Sequence, residues 1–518
     1  MPSSPTAAWR FDNTYARDLQ GLHVPWQPAP VPAPRLLYLN EPLAGELGLD
    51  AQALSADDGA ALFAGNRLPP GAEPIAQAYA GHQFGGFSPQ LGDGRALLLG
   101  EVIDIHGQRR DIAFKGSGRT PFSRGGDGKA AVGPMLREVI IGEAMHALGI
   151  PTTRALAVAA TGESVYREQP LPGAVLTRVA ASHLRVGTFQ FVAARGDAER
   201  LRQLADYAIA RHDPDLAGTP GRYMGLLERV SQRQAGLVAR WMNVGFIHGV
   251  MNTDNMTISG ETIDYGPCAF MEAYDPQAVF SSIDRQGRYA YGNQPAIARW
   301  NLARLAEALL PLMVEDEARD GSPDEAAVDA VADRLVAQAT AVIDAFPSMY
   351  GKALLHGQRA KLGLGQGTGG DDAADAALAA DWLALLQAQA VDFTLGWRRL
   401  ADAAAGDEAP LRALFADGPA LDAWMARWQA RCALEAGVAG VAPAARAAAM
   451  RQASPWIIPR NHQVELALEA ATERDDLAPF HRLMEALRDP FGQRPGFEAY
   501  AQPAPAAVTA RYQTFCGT

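Results

Sequence analysis

The sequence predicts an α+β protein in which a glycine-rich β-sheet lobe is followed by a helical lobe and by extra C-terminal helices. Between residues 75 and 180, short apolar runs alternate with glycine turns, which is typical of strands. From about residue 199 onwards, apolar residues recur at helical spacing, interrupted by one polar stretch at residues 248–266. Strands gathered before helices indicate an α+β architecture.

Composition narrows the class of protein. The chain has 518 residues, of which 48% are hydrophobic and 20% charged, as in ordinary globular proteins with more than one domain. Its net charge of -12 argues against a nucleic-acid partner, because nucleic-acid binders carry a basic footprint. No apolar stretch follows the start or approaches the length of a membrane span. We therefore expect a cytoplasmic, monomeric protein without a membrane or nucleic-acid partner.

The N-terminal third is interpreted in two segments. Residues 1–70 are predicted to wrap around the main domain, with a proline-rich run and short helices at 42–47 and 51–64, the first capped by Asn40. Residues 71–190 are predicted to form the sheet lobe. Its elements are strands at 96–102, 111–114, 154–160 and 174–179, a helix from Pro134 to Gly149, and a helix at 186–194.

The remainder is predicted to be helical, with a lobe at 191–362 and a C-terminal extension at 371–518. A glycine-rich stretch, residues 363–370, separates them as a linker or exposed loop. Helical periodicity predicts segments at 199–211, 223–242, 296–313, 326–346, 373–404, 420–436 and 464–472.

The polar stretch at 248–266 reads as a strand–loop–strand unit that holds a divalent metal. Phe246 and Ile247 lead into it, and Ile263 is predicted to start the next strand. Asp254, Asn255 and Asp264 would then offer oxygen atoms, which Mg²⁺ prefers. The alternative is that these residues only make turns, which is their commonest role.

The order of the parts is that of a protein kinase. A glycine-rich hairpin, a strand with Lys115, a helix with Glu138 and a metal loop follow one another, and kinases use these parts to hold the phosphates of ATP. The sequence therefore predicts a protein-kinase-like two-lobed fold with a Lys115–Glu138 ion pair. Val250 stands where a kinase has its proton-accepting Asp.

Arginine is abundant near these elements. Five arginines could face phosphates, although solubility is the alternative explanation; they are Arg95, Arg119, Arg124, Arg178 and Arg185. The turn at Asp127 and Gly128 could present backbone N–H groups to an anion. If these arginines and N–H groups bind the triphosphate tightly, a reaction in which pyrophosphate leaves is favoured.

Long motifs resemble the selenoprotein O family, also called YdiU. They are residues 79–85 (YAGHQFG), 91–96 (LGDGRA), 114–124 (FKGSGRTPFSR), 136–138 (LRE), 248–255 (HGVMNTDN) and 264–268 (DYGPC). Residues 11–13, residues 459–462 and Cys516 are similar too. The resemblance implies a kinase-like fold that binds ATP in an inverted orientation. It also implies transfer of AMP to Ser, Thr or Tyr hydroxyls of proteins, with UTP and Mn²⁺ as a further pair.

The resemblance also implies roles for single residues. Asp254 would be the proton acceptor, and Asn255 and Asp264 would ligate Mg²⁺. Lys115 would pair with Glu138. Nucleotide-binding residues would be Gly92, Gly94, Arg95, Lys115, Asp127, Gly128, Arg178, Arg185 and Asp264, with Arg178 and Arg185 on phosphate. In this family the near-terminal residue can bridge to the Cys after the metal motif, so Cys268 and Cys516 would be a redox pair.

Two other functions remain open from the residues. The chain could be an atypical kinase that transfers the γ-phosphate with a displaced base. It could also be a non-catalytic ATP-binding regulatory module whose helical lobe binds partners.

Overall fold

The computed structural model describes residues 9–55, 57–318, 325–365, 371–439 and 442–515. Within these ranges the fold combines an antiparallel sheet with many helices, which confirms the predicted α+β class. The strands are β1 His23–Pro25, β2 Arg35–Leu39, β3 Ile75–Gln77, β4 Gly81–Gln83, β5 Gly86–Ser88, β6 Ala96–Ile103, β7 Arg109–Lys115, β8 Ala130–Ala131, β9 Arg154–Tyr166, β10 Pro170–Ala180, β11 Phe246–Ile247 and β12 Ala269–Phe270.

The main sheet has the strand order β1-β3-β6-β7-β10-β9-β2, with β8 paired to β10. All its ladders are antiparallel, and β7 lies between β6 and β10. Lys115 is the last residue of β7 and pairs with Ala96 and Leu176. The lysine therefore leaves the sheet at the end of a central strand, where its backbone is fixed on both sides.

The helices are α1 Thr14–Asp18, α2 Glu41–Glu46, α3 Ala51–Leu54, α4 Asp57–Phe63, α5 Val132–Ala147, α6 Val186–Ala193, α7 Ala198–His212, α8 Arg222–Val244, α9 Gln294–Ala318, α10 Glu325–Leu362, α11 Asp372–Ala388, α12 Phe393–Ala404, α13 Ala409–Arg412, α14 Gly418–Ala439, α15 Pro443–Ala453, α16 Asn461–Glu473, α17 Ala478–Leu487, α18 Glu498–Ala501 and α19 Ala506–Thr509. None of the described helices combines the length and the apolar character needed to cross a membrane.

Helix α5 connects the sheet to the rest of the core. One side packs on β9 and β10 and the other on α16 and α17, so the helix is buried along most of its length. Its apolar residues Leu136, Val139 and Ile140 are almost fully buried. Gly149 follows the helix in a left-handed conformation, with φ of 74°, as its C-terminal position predicts. This packing fixes Glu138, which lies on the same helix.

Most predicted elements occur close to their predicted positions, but three boundaries were wrong. The helix predicted at 51–64 is two short helices, α3 and α4. The helix predicted at 373–404 breaks into α11 and α12 at Ala390, which has a φ of 50°. Asp392 then caps α12 by accepting a hydrogen bond from Leu395 N at 2.8 Å. Helix α10 runs on to Leu362, beyond the predicted end at residue 346.

The N-terminal segment contributes more than a wrap. Its strands β1 and β2 form the two ends of the main sheet, pairing with β3 and β9. Asn40 caps α2 as predicted, since its side chain accepts a hydrogen bond from Leu43 N. The division of the chain into four segments stays a prediction. Residues 366–370 of the predicted linker lie outside the described residues.

Candidate active site

One cavity of about 1470 Å³ lies where the end of the sheet, α5, the hairpin β4–β5 and the 248–266 loop meet. Every nucleotide, metal and proton-acceptor residue that the resemblance implies lines this cavity, together with Glu138, the predicted partner of Lys115. These residues are Gly92, Gly94, Arg95, Lys115, Asp127, Gly128, Glu138, Arg178, Arg185, Asp254, Asn255 and Asp264. Arg124 also lines it, whereas Arg119 does not.

Lys115 is the centre of a buried ion network. Its Nζ pairs with Oε1 of Glu138 on α5 and donates to Oδ1 of Asp264 at 2.8 Å. Nη1 of Arg178 donates to the same Oδ1 at 2.8 Å and lies 4.0 Å from Oε2 of Glu138. Desolvation raises the pKa of Asp264, but Lys115, Arg178 and Arg185 outweigh it and hold that pKa well below its ordinary value. Asp264 is therefore ionised and fixed in place.

A chain of buried hydrogen bonds through His183 and Asp111 orients the side chain of Arg178. Nε of Arg178 donates to Nε2 of His183 at 3.2 Å, and Nδ1 of His183 donates to Asp111 at 2.9 Å. Nη2 of Arg211 donates to the other oxygen of Asp111 at 2.5 Å. Burial lowers the pKa of His183 to about 4, so this imidazole is neutral. A neutral ring with its proton on Nδ1 can accept from Arg178, which a charged ring could not do.

Arg185 joins the two acidic positions of the loop. Its Nη1 donates to the backbone oxygen of Asp254 at 2.8 Å and approaches Oδ2 of Asp264 at 3.4 Å. Its guanidinium lies over the ring of Tyr79, 4.5 Å from the ring centre. Desolvation lowers its pKa, but Tyr79 and the nearby carboxylates outweigh this effect and raise it overall. The arginine is thus a fixed positive charge in the wall of the cavity.

The loop itself differs from the predicted strand–loop–strand. Phe246–Ile247 is a strand, as predicted, but its partner is β12 at Ala269–Phe270. The prediction that a strand starts at Ile263 was wrong. Ile263 is not part of a strand, and Thr262 before it forms an isolated bridge to Thr152. His248 fastens the loop instead: its Nε2 donates to the backbone oxygen of Ile263 at 3.0 Å.

Asp254 sits in a short 3-10 turn with its carboxylate buried. Oδ2 accepts a hydrogen bond from Nε2 of Gln83 at 3.0 Å, whereas Oδ1 is buried without a partner among the described residues. Burial raises the pKa of Asp254 to about 6. Val250 is also buried and lines the cavity. The loop therefore offers one carboxylate oxygen with unused hydrogen-bonding capacity beside an apolar side chain.

The loop residues fit a hard divalent cation. Nδ2 of Asn255 donates to the backbone oxygen of Val250 at 3.1 Å, so its oxygen is the side-chain atom suited to a metal. Among the residues that the structure describes, the polar contact of Asp264 Oδ2 is the one with Arg185 at 3.4 Å. Within the described ranges, no group of three or more His, Cys, Asp or Glu side chains could hold a metal. Two protein oxygens completed by phosphate and water are the coordination that Mg²⁺ commonly adopts.

The glycine turn beside the sheet is shaped by close packing. Gly92 has a φ of 102°, and a Cβ there would lie 2.5 Å from the ring of Phe122. A Cβ on Gly128 would lie 2.1 Å from the backbone oxygen of Gly118. Asp127 is ion-paired with Arg167 at 2.9 Å. The two turns therefore form a tight backbone wall on one side of the cavity.

Comparison with known proteins identifies the family. The family described as "Protein adenylyltransferase SelO" matches residues 7–488. The chain belongs to the SelO family. It is therefore an enzyme of the nucleotidyltransferase class.

Close relatives cover nearly the whole SelO-family chain. A protein nucleotidyltransferase YdiU from Cereibacter sphaeroides is 61% identical over 511 residues, which is 98% of this chain and 100% of the relative. The YdiU protein from Chromobacterium violaceum is 61% identical over 494 residues, covering 95% and 99%. That from Rhizobium etli is 56% identical over 516 residues, covering 99% and 98%.

The C-terminal part of this SelO-family chain lines the cavity, a position that the sequence indicated only through the implied pairing of Cys516 with Cys268. Residues 511–515 form part of the wall. Tyr512 donates to Glu465 at 2.7 Å, and Oγ1 of Thr514 donates to the backbone oxygen of Pro267 at 2.6 Å. Tail and loop are about 250 positions apart in the chain, so no local pattern could have predicted the contact.

The predicted redox pair can be described at one end only. Cys268 is fully buried, and its thiol donates to the backbone oxygen of Tyr265 at 3.3 Å. Burial raises the pKa of this thiol to about 12, which disfavours the thiolate. Cys516 lies outside the described residues. The pairing stays a prediction.

Proposed function

We propose that this SelO-family enzyme transfers AMP from ATP to hydroxyl groups of serine, threonine or tyrosine side chains in proteins, with release of pyrophosphate. The observation that carries the proposal is Asp254, which lines the same cavity as the cations and whose Oδ1 is buried without a partner among the described residues. Transfer of a nucleotide to a hydroxyl needs a proton acceptor together with cations for the phosphates.

The fold proposed for this chemistry is that of a protein kinase with two lobes. A strand lysine paired with a helix glutamate, and a loop carrying an Asn and an Asp, are the parts that kinases use for ATP and metal. Lys115, Glu138, Asn255 and Asp264 supply these parts here. The apolar Val250 stands where a kinase has its proton-accepting Asp. This difference supports a reaction at a phosphate other than the γ-phosphate.

The nucleotide is proposed to bind in the inverted orientation. Lys115, Arg178 and Arg185 form one positive cluster around Asp264. Binding of the β- and γ-phosphates by these cations would leave the α-phosphate nearer to Asp254. Pyrophosphate is the leaving group of this reaction, so cations that bind it lower the barrier.

A divalent cation fits the same proposal. Asn255 and Asp264 would hold Mg²⁺ or Mn²⁺ with phosphate oxygens and water. When bound, the metal neutralises charge on the phosphates. Lys115 and Arg178 keep Asp264 ionised, which is the form that a metal requires.

The transfer step balances as follows. The acceptor hydroxyl oxygen attacks the α-phosphorus, and its proton passes to Oδ1 of Asp254. The bond from that phosphorus to the oxygen bridging to the β-phosphate breaks, and pyrophosphate leaves with the electron pair. Burial of Asp254 brings its pKa closer to neutrality, which strengthens it as a base.

Labelled ATP tests this function directly. The purified protein is incubated with Mg²⁺ and with ATP labelled at the α- or the γ-phosphate, and label on the protein itself is counted, with UTP and Mn²⁺ in parallel. Label from the α position alone is expected. Label from the γ position alone would make the chain a kinase. Binding of ATP without any label would favour the regulatory module.

Asp254→Asn is the matched chemical variant. It keeps the shape of the side chain and an oxygen for Gln83, but it removes the base, so transfer should fall by about 100-fold or more while ATP still binds. Asp381→Asn is the control, because Asp381 is half-exposed and pairs with Arg427 at 2.7 Å, outside the cavity lining. Full transfer by Asp254→Asn would remove Asp254 as the base.

A further inference from the structure

The hairpin β4–β5 lies directly on the loop that carries Asp254. It forms a small sheet of its own, in which His82 pairs with Phe87. His82 N donates to Oγ1 of Thr253 at 2.7 Å. Thr253 in turn donates to Gln190 on α6 at 2.6 Å, so the hairpin and the loop are held by a common buried network.

Two glycines allow this close approach. A Cβ on Gly81 would lie 2.6 Å from Oδ1 of Asp254, and a Cβ on Gly187 would lie 2.2 Å from the backbone oxygen of Ala80. Both distances are shorter than any carbon–oxygen contact that a side chain can make without displacement. The hairpin is therefore packed against the carboxylate and not merely near it.

Gln83 selects one oxygen of that carboxylate. Its Nε2 donates a hydrogen bond to Oδ2 of Asp254 at 3.0 Å, while Oδ1 accepts none from the described residues. An amide donor of fixed position prevents the carboxylate from rotating, because rotation would break the hydrogen bond. A general base must be held in a defined geometry towards the proton that it accepts.

Phe84, the next residue, is an exposed aromatic whose ring packs on that of Tyr289, with 5.1 Å between the ring centres. Its side chain is 40% exposed and lines the cavity, and its φ is 51°, a conformation unusual for phenylalanine. Its N–H is shared between Oδ1 of Asn252 at 3.1 Å and the hydroxyl of Tyr289 at 3.1 Å. Strained backbone conformations of this kind cluster at ligand-binding positions.

We propose that this hairpin is the acceptor-binding wall of the site, in which Phe84 contacts an apolar side chain next to the target hydroxyl and Gln83 holds Asp254 for that hydroxyl. The inference rests on the proposed function. Phe84 follows Gln83 directly, and Asn252, which binds its N–H, is two residues before Asp254. Phe84 and Asp254 line the same cavity, so a protein segment whose hydroxyl reaches Asp254 shares that cavity with Phe84.

Two synthetic heptapeptides test the contact at Phe84. Each carries one tyrosine, flanked by leucines in one peptide and by serines in the other, and transfer of α-labelled AMP is followed. The wild-type enzyme should use the leucine-flanked peptide with a KM about 10-fold lower. Phe84→Ala should abolish this difference, and Phe84→Leu should restore part of it. Ile105→Ala is the control, since Ile105 is an exposed apolar residue that lies outside both the hairpin and the cavity lining.

Gln83→Met tests the positioning role. It keeps the length of the side chain and removes the donor, so kcat should fall about 10-fold or more while the KM for ATP stays unchanged. Gln90→Met is the control, because Gln90 is exposed and outside the cavity lining. An unchanged kcat would remove Gln83 from the mechanism.

The outcomes separate this inference from the proposed function. An enzyme that labels itself from α-labelled ATP but treats both peptides equally, or uses neither, overturns the acceptor wall alone. A rise in the KM for ATP in Phe84→Ala, with the peptide preference kept, would assign Phe84 to the nucleotide base and also overturn it. Absence of any α-label on protein or peptide would reject the proposed function itself.

Discussion

At the scale of single residues, the buried positive and negative charges around Asp264 are paired with one another. Lys115, Arg178 and Arg185 surround one carboxylate, and Glu138 balances Lys115 from α5. Buried charges are tolerated only when they are paired, so each member of this set constrains the others. Removing one member should therefore affect stability as well as activity.

Lys115→Met is expected to reduce AMP transfer by about 100-fold or more and to lower stability by about 3 kcal/mol. The activity is lost because a cation proposed to face the phosphates disappears, and the stability is lost because the buried Glu138 is left with the 4.0 Å contact to Arg178. The measurements are label transfer and urea unfolding. Adding Glu138→Gln should recover part of the stability and none of the activity.

Lys352→Met is the control for that variant, because Lys352 is exposed on α10. It should leave both quantities unchanged. If Lys115→Met unfolds at the same urea concentration as the wild type, the buried pair does not contribute as described.

Stability should also fall at mildly acidic pH because of His183. Its pKa is about 4 in the folded protein and near 6.5 when unfolded, so the unfolded chain binds more protons between these values. The contribution of neutral His183 to the free energy of unfolding is complete above pH 6.5. It declines as the pH falls towards 4, by about 2 kcal/mol between pH 7 and pH 5. Urea midpoints at the two pH values measure it.

His183→Gln should flatten that dependence while keeping a donor for Asp111 and an acceptor for Arg178. His212 is a second buried histidine, with a pKa lowered to about 3 by burial, and it should contribute with the same sign. His212→Gln therefore serves as the comparison. A pH dependence unchanged in both variants would contradict the neutral buried histidines.

At the scale of elements, the hairpin β4–β5 and the loop of Asp254 act as one unit. They are joined by the bond from His82 to Thr253 and by the packing of Gly81 on Asp254. Their contact depends on the absence of a side chain at Gly81. A methyl group there must displace either the hairpin or the carboxylate.

Gly81→Ala is therefore expected to lower AMP transfer by about 10-fold or more, because the new Cβ would meet Oδ1 of Asp254. Label transfer and ATP binding are measured together, and binding should change less than transfer. Gly236→Ala in α8 is the control, since nothing lies within 4 Å of a Cβ there. It should be neutral or slightly stabilising. Full AMP transfer by Gly81→Ala would show that the hairpin can shift to accept a methyl group, so that close packing on Asp254 is not required.

At the scale of the whole molecule, the cavity is built from parts of the chain that are far apart. The sheet supplies Lys115 and Arg178, α5 supplies Glu138, the loop supplies Asp254, and residues 511–515 close one side. Ligands that bind such a cavity should stabilise the whole fold, because they bind only when all parts are assembled.

Mg²⁺ and ATP together are accordingly expected to raise the melting temperature, with a stabilisation of about 2.7 kcal/mol at 100 times the dissociation constant. Chelation with EDTA should abolish both the shift and AMP transfer. Asn255→Ala should weaken the effect of the metal, whereas Asn293→Ala, at an exposed position, should not. Equal shifts for ATP with and without metal would contradict a site at Asn255 and Asp264.

Local chemistry determined much of this protein from the sequence alone. Alternation and glycine turns located β6, β7, β9 and β10, and helical spacing with Pro134 and Gly149 located α5. These signals lie within one element, where side-chain periodicity reflects a single buried face. The candidate residues Lys115, Glu138, Asp254 and Asp264 were named from the same local motifs, and their roles stay predictions.

Tertiary structure alone decided the rest. The pairing of β11 with β12 and the break before Asp392 could not be predicted, because a two-residue strand has no periodicity and Asp392 is fixed by Arg460, 68 positions away. The bond between Gln83 and Asp254 joins residues 171 positions apart. A sequence shows which groups can form hydrogen bonds, but partners separated by this distance are chosen by packing. For this reason the sequence determined the chemistry available to the site, and the fold determined which oxygen of Asp254 is left unpaired.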